Sequence, residues 1–126
     1  MTDTLGHILT VDDNRMNRLK LVRMLEKEGY DVSQAEGGRK ALTMLRANVF
    51  DLVLLDILMP DVDGFQVLRD MKQDAALRDI PVIVVTAVEE MNSVNECLEL
   101  GAVDYLAKPV DAKVLIDRVC NYIKES

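Results

Sequence analysis

The sequence predicts an α/β domain built on a parallel sheet of five strands with helices on both faces. Three observations lead there. Short runs of β-forming residues alternate with longer segments of helical spacing, five times in succession. Two of the short runs, LVLLDI and PVIVVTA, are apolar at nearly every position, as strands buried on both faces must be. Glycines stand at the junctions: Gly29, Gly37, Gly38 and Gly101.

Taken in order, the first strand is expected over His7–Val11. Asn14 is then a capping candidate for a helix whose inner face carries Met16, Leu19, Val22 and Leu25. The second strand is expected over Asp31–Ala35, followed by a helix marked by Ala41, Leu42 and Leu45. The third runs Asp51–Asp56, with Phe65, Val67, Leu68 and Met71 marking the next helix. The fourth runs Pro81–Thr86. Its helix carries Met91, Val94 and Leu98 and ends at Gly101. The fifth runs Asp104–Lys108, and Leu115, Val119, Tyr122 and Ile123 mark the last helix. No repeat, low-complexity stretch or linker interrupts the pattern, so residues 1–126 are expected to form one domain with little outside it.

The bulk numbers agree. A chain of 126 residues buries well over half of its unfolded surface and needs no staples. With 49% hydrophobic residues but only 4% aromatic, the core must rest on Leu, Val, Ile, Met and Ala. The excess of acidic over basic residues, 22 against 15, argues against direct nucleic-acid binding, because phosphate backbones demand basic surfaces. It suits a hard cation where carboxylates converge. Cys97 and Cys120 lack CxxC spacing and read as two buried, reduced thiols, in keeping with a reducing cytoplasm. The N-terminus meets carboxylates too early for a signal peptide, and no apolar run approaches the ~20 residues that span a bilayer. A soluble cytoplasmic protein with no membrane partner is expected.

In sheets of this kind, ligands bind outside the carboxyl ends of the strands. Asp12 and Asp13 follow the first strand, Asp56 ends the third, Thr86 the fourth and Lys108 the fifth. Each has an ordinary reading by itself. An Asp after a strand can cap a helix or shape a turn, Thr86 is β-branched in a strand, and Lys108 could be a surface lysine. Asp56 is harder to dismiss, since a carboxylate ending so apolar a strand costs free energy unless it is paired or metal-bound. Together the set has one coherent use. Mg²⁺ would relieve repulsion among three carboxylates. One carboxylate could act as a nucleophile in aspartyl-phosphate chemistry. Lysine and threonine could neutralise and bond the phosphoryl oxygens.

These residues resemble the receiver domain of two-component response regulators over essentially the whole chain, from Ile8 to about Ile123. The resemblance rests on ILTVDDN, DLVLLDILMPDVDG, PVIVVTA and GAVDYLAKP, in that order. It implies a flavodoxin-like, doubly wound sheet of order 2-1-3-4-5. Asp56 would be the phosphoacceptor, and Asp13, Asp12, Asp56 and the Leu58 carbonyl would hold Mg²⁺ or Mn²⁺. Thr86 would be the switch hydroxyl, Tyr105 the aromatic that follows it, and Lys108 the lysine that pairs with acceptor and phosphoryl oxygens. Pro109 would shape the loop through a cis Lys108–Pro109 bond. The protein would be a phosphorylation switch rather than a turnover enzyme. Its phosphoryl donor would be a sensor histidine kinase or a histidine phosphotransfer protein. The fourth helix, fifth strand and fifth helix would carry the signal to a downstream partner or output domain, with a phosphorylation-dependent dimer as one outcome. Leu58 and Val88 are apolar where many relatives are polar, which implies poorly oriented water and a long-lived phosphorylated state.

Three rival readings differ at definite places. A flavodoxin-like FMN carrier needs a Ser/Thr/Gly-rich phosphate loop where this chain has Asp12, Asp13 and Asn14. A phosphohydrolase of the haloacid dehalogenase type carries its nucleophile in a DxD motif after strand one, whereas Asp12 and Asp13 are adjacent. A receiver serving only as an interaction module would have no need of the full set of site residues.

Overall fold

The computed structural model describes residues 4–60, 62–87 and 92–123. Five strands and five helices alternate along the chain: β1 (His7–Val11), α1 (Arg15–Lys27), β2 (Asp31–Ala35), α2 (Gly38–Ala47), β3 (Leu52–Leu55), α3 (Gly64–Gln73), β4 (Val82–Ala87), α4 (Val94–Glu99), β5 (Asp104–Lys108) and α5 (Ala112–Tyr122). All pairings are parallel, and the order is β2-β1-β3-β4-β5, as expected.

The period-two alternation of β3 explains why its sequence is apolar throughout. Val53 and Leu55 face one core, with Leu9, Val11, Val82 and Val84 from the flanking strands and Leu42, Leu45, Val67, Leu68 and Met71 from α2 and α3. Leu52 and Leu54 face the other, with Ile8, Ile83, Val85 and Leu106 and with Leu21, Leu25, Leu115 and Val119 from α1 and α5. Both cores are apolar, so the strand needs an apolar side chain at every position. Truncating one of these leucines or isoleucines to alanine should lower stability by about 2–5 kcal/mol in denaturant unfolding.

Local signals set the helix starts. The Asn14, Asp63 and Asp111 side chains accept from the backbone N–H groups of Asn17, Gln66 and Val114, at 3.0, 3.0 and 3.1 Å, to cap α1, α3 and α5. Helix α4 stops as the expected glycine requires. Gly101 has φ +112°, and the N–H groups of Gly101 and Ala102 close on the carbonyls of Leu98 and Cys97.

Some expectations shift. The buried stripe of α1 is Leu21, Val22 and Leu25, while Met16 is 60% exposed in the first turn, beyond the reach of the sheet. On α4, Val94 and Cys97 point inward and Leu98 outward, and Met91 lies outside the described residues. Cys97 is buried, but Cys120 is exposed, because Leu115 and Val119 take the inner face of α5. The β3 ladder ends at Leu55, one residue before Asp56, and β4 begins after Pro81, which has no N–H to give. Among the described residues no helix is long and apolar enough to cross a membrane.

Candidate functional site

The chain reversal at the sheet centre places the ends of β1 and β3 side by side. The register sets Val11 opposite Leu55, so Asp12 and Asp56 leave adjacent strands at the same level. Two further strand-type bonds hold them there. Asp12 N–H donates to the Ala35 carbonyl at 3.1 Å, and Asp56 N–H to the Val11 carbonyl at 2.9 Å. The carboxylates of Asp12, Asp13 and Asp56 converge, each offering an oxygen within 4.8 Å of the others. Asp12 and Asp56 are buried and Asp13 is exposed, so the cluster opens to solvent on the Asp13 side.

Lys108 arrives from the end of β5. Its Nζ lies 2.9 Å from Asp12 Oδ2 and 3.6 Å from Asp56 Oδ1. Asp12 is the more tightly held of the pair, because its Oδ1 also accepts from the Asn14 N–H at 2.9 Å. The Asp56 carboxyl is pushed up to about 6, first by burial and then by Asp12 and Asp13. Lys108 and the Ile57 N–H pull the other way without overcoming that rise. One ammonium beside three carboxylates leaves the site short of positive charge.

The other predicted site residues lie around this cluster. Thr86 is buried near the end of β4, opposite Ala107 of β5 and one register step from the Ala87–Lys108 pair. Tyr105 is 38% exposed on β5 and pairs with Val84. Beside it, Arg118 of α5 bonds the Asp104 side chain at 2.8 Å. Leu58 is 54% exposed in the loop after β3. The Lys108–Pro109 peptide is cis, and Asp12, Lys108 and Pro109 line one cavity of about 530 Å³ with Asn17, Lys20 and Leu21 of α1. Val88 lies outside the described residues.

Two contributors, Arg18 and the Gln34 that holds it, were not visible in the sequence. Arg18 of α1 donates to the Asp12 carbonyl at 2.7 Å and to Gln34 Oε1 of β2 at 3.1 Å. An arginine on the polar side of a helix reads as a solvated charge, and nothing in its spacing signals a reach back to β1.

A single fold in which a parallel sheet of this order carries three carboxylates and a lysine at one edge defines a class. The chain belongs to the response regulator receiver domain family, whose profile matches residues 8–120. It is similar to protein PilH of Pseudomonas aeruginosa, 40% identical over 115 residues, which cover 91% of this chain and 95% of PilH. It is also similar to the response regulator PleD of Caulobacter vibrioides, 43% identical over 90% of this chain but only 25% of PleD. The chain thus spans a quarter of that relative's length. Among solved structures, the receiver domain of sensor histidine kinase PA1611 from P. aeruginosa PAO1 superposes with a TM-score of 0.86 at 30% identity. The match covers 94% of this chain and 97% of that one, and that structure has a magnesium ion coordinated in its active-site cleft. Receiver domains are phosphorylation switches of two-component signalling rather than turnover enzymes, and membership implies a histidine kinase as partner.

Proposed function

We propose that residues 1–126 act as one receiver domain that accepts a phosphoryl group on Asp56. The observation that carries this is the convergence of Asp12, Asp13 and Asp56 within 4.8 Å, with Lys108 against two of them. The donor set is all oxygen and short of positive charge, which fits Mg²⁺ or Mn²⁺, and the magnesium in the PA1611 receiver supports the same reading. Asp12, Asp13, Asp56 and the Leu58 carbonyl would hold the ion. Once bound, it supplies the positive charge that phosphoryl transfer onto a carboxylate requires.

The chain's own residues do the rest. An Asp56 carboxylate oxygen bonds to phosphorus as the bond from phosphorus to the donor breaks, and the donor leaves with that electron pair. The donor is a sensor histidine kinase or a histidine phosphotransfer protein. Lys108, already between Asp12 and Asp56, is within reach of the new oxygens. The Thr86 hydroxyl donates to one of them from the neighbouring strand. The modification adds about 1.5 to 2 negative charges and three acceptor oxygens. Thr86 moving inward opens space for Tyr105, which changes the α4–β5–α5 surface offered to a downstream partner, an output domain or a second copy. The chain catalyses only its own phosphorylation and dephosphorylation, and its place is the cytoplasm. Leu58 stands exposed at the mouth, and a polar residue there is expected to orient attacking water. Leu58→Asn should therefore shorten the lifetime of the phosphorylated state several-fold in a phosphate-release assay, and an unchanged rate would count against that role.

Mass spectrometry after treatment with acetyl phosphate and Mg²⁺ tests the central claim. The wild type should gain the mass of one phosphoryl group and Asp56→Asn should gain none. No gain in the wild type would sink the proposal, and a gain in both would move the acceptor elsewhere.

A further inference from the structure

We propose that Arg18 is a positioning residue for the metal-binding pair Asp12–Asp13, acting on the peptide that joins them. This rests on the receiver reading of the site and extends it to residues outside the acidic cluster.

The peptide between Asp12 and Asp13 carries the Asp12 carbonyl. On the preceding residues of β1 the backbone is fixed by strand bonds to β2 and β3. That support stops at Asp12. Its N–H still reaches Ala35, but Ala35 is the last residue of β2, and among the described residues no further strand residue bonds the Asp12 carbonyl. The Arg18 guanidinium takes this role, donating from NH1 at 2.7 Å. The orientation of that one peptide plane sets ψ of Asp12 and φ of Asp13, and so the relative directions of the two carboxylates.

The guanidinium is itself held. Its Nε donates to Gln34 Oε1 at 3.1 Å, and Gln34 pairs with Thr10 in the sheet. The planar fork is therefore anchored to β2 by one nitrogen and to the metal loop by another, a two-point hold that an ammonium cannot reproduce. Arg18 starts one turn into α1, whose Asn14 cap also returns a bond to Asp12 Oδ1. Asp12 is thus gripped at its carbonyl by Arg18, at one carboxylate oxygen by Asn14 and at the other by Lys108. Groups that orient metal-binding residues in this way typically change metal affinity by about 10–100-fold when removed.

Isothermal titration of the full chain with MgCl₂ tests this in wild type, Arg18→Met, Arg18→Lys and Gln34→Leu. Arg18→Met keeps the aliphatic stem and should weaken Mg²⁺ binding about tenfold. Gln34→Leu leaves the arginine's charge in place and should weaken binding in the same direction, by less. Arg18→Lys should recover only part of the loss. A role confined to folding would lower the denaturation midpoint and leave the affinity of the folded protein at 25 °C unchanged. Wild-type affinity in Arg18→Met or in Gln34→Leu, or full recovery with lysine, overturns the positioning role. A wild type that gives no binding heat and no Mg²⁺-dependent stabilisation overturns the receiver reading of the site instead.

Discussion

Asp56→Asn is expected to make the metal-free protein more stable at neutral pH, by up to about 3 kcal/mol, although it deletes one partner of an ion pair. The carboxyl ordinarily titrates at 3.8 and is pushed up to about 6 in the folded chain, chiefly by burial and by Asp12, and each pH unit of such a shift is worth about 1.4 kcal/mol. The sign follows from where the proton is held. Below 3.8 the carboxyl is protonated in both states and carries no penalty. Between 3.8 and 6 the unfolded chain has released its proton while the folded chain keeps it, so stability falls as pH rises. Above 6 both are ionised and the whole penalty is present. Asparagine is neutral throughout and escapes it. Lys108 keeps its closer partner Asp12 at 2.9 Å, so the substitution leaves no stranded cation. Urea unfolding in EDTA should show the Asn variant ahead of wild type at pH 7.5 and the gap closing towards pH 4. Added Mg²⁺ should reverse the order by stabilising wild type more. An Asn variant less stable than wild type at pH 7.5, or a gap that ignores pH, would refute the account.

The second large effect is steric. Gly38 opens α2 and Gly64 opens α3, and both press against the loop that carries the chain away from Asp56. A Cβ on Gly38 would fall on the Val62 carbonyl oxygen, and one on Gly64 would sit 2.7 Å from the Asp56 carbonyl oxygen and 2.8 Å from Ile57 Cα. These neighbours are backbone and cannot swing aside. Alanine in place of glycine gains up to ~1 kcal/mol of helix preference, less at a first helical position. Forcing atoms into a filled space costs about 1–3 kcal/mol and sometimes more. The clash wins, so Gly38→Ala and Gly64→Ala should each lose about 1–3 kcal/mol, with Gly38→Ala the more damaging. Because the Gly64 N–H also donates to the Ile57 carbonyl at 2.8 Å, Gly64→Ala should displace the segment that carries Asp56 and weaken Mg²⁺ binding as well. Denaturant midpoints check the first point and titration the second. Wild-type midpoints in both variants would show that the loop gives way freely.

These glycines mark the boundary of what could be read in advance. The alternation of elements, the doubly buried β3 and β4, and the clustering of Asp12, Asp13, Asp56 and Lys108 at one edge were all legible. They follow from periodicity and from which residue ends each strand. Gly38 was visible only as a junction glycine and Arg18 only as a polar helix residue. Their roles depend on atoms contributed by distant parts of the chain, Val62 for one and Asp12 for the other, and no local spacing encodes such a meeting. Cys120 failed because Leu115 and Val119 take the inner face of α5, whereas Met16 failed at the exposed end of its stripe. Helical periodicity marks an apolar stripe, but the extent of the sheet beneath it decides where burial stops.

The bond from Lys108 to Asp12 joins residues 96 positions apart, close to the full span of the sheet-forming chain. Closing so long a loop costs more entropy than a local contact does, and the ammonium reaches the carboxylates only with β5 docked beside β4. A chain cut before β5 would lack the ammonium that lies against Asp12 and Asp56. The charge balance of the site therefore depends on the first and last strands of the sheet-forming chain meeting at one edge.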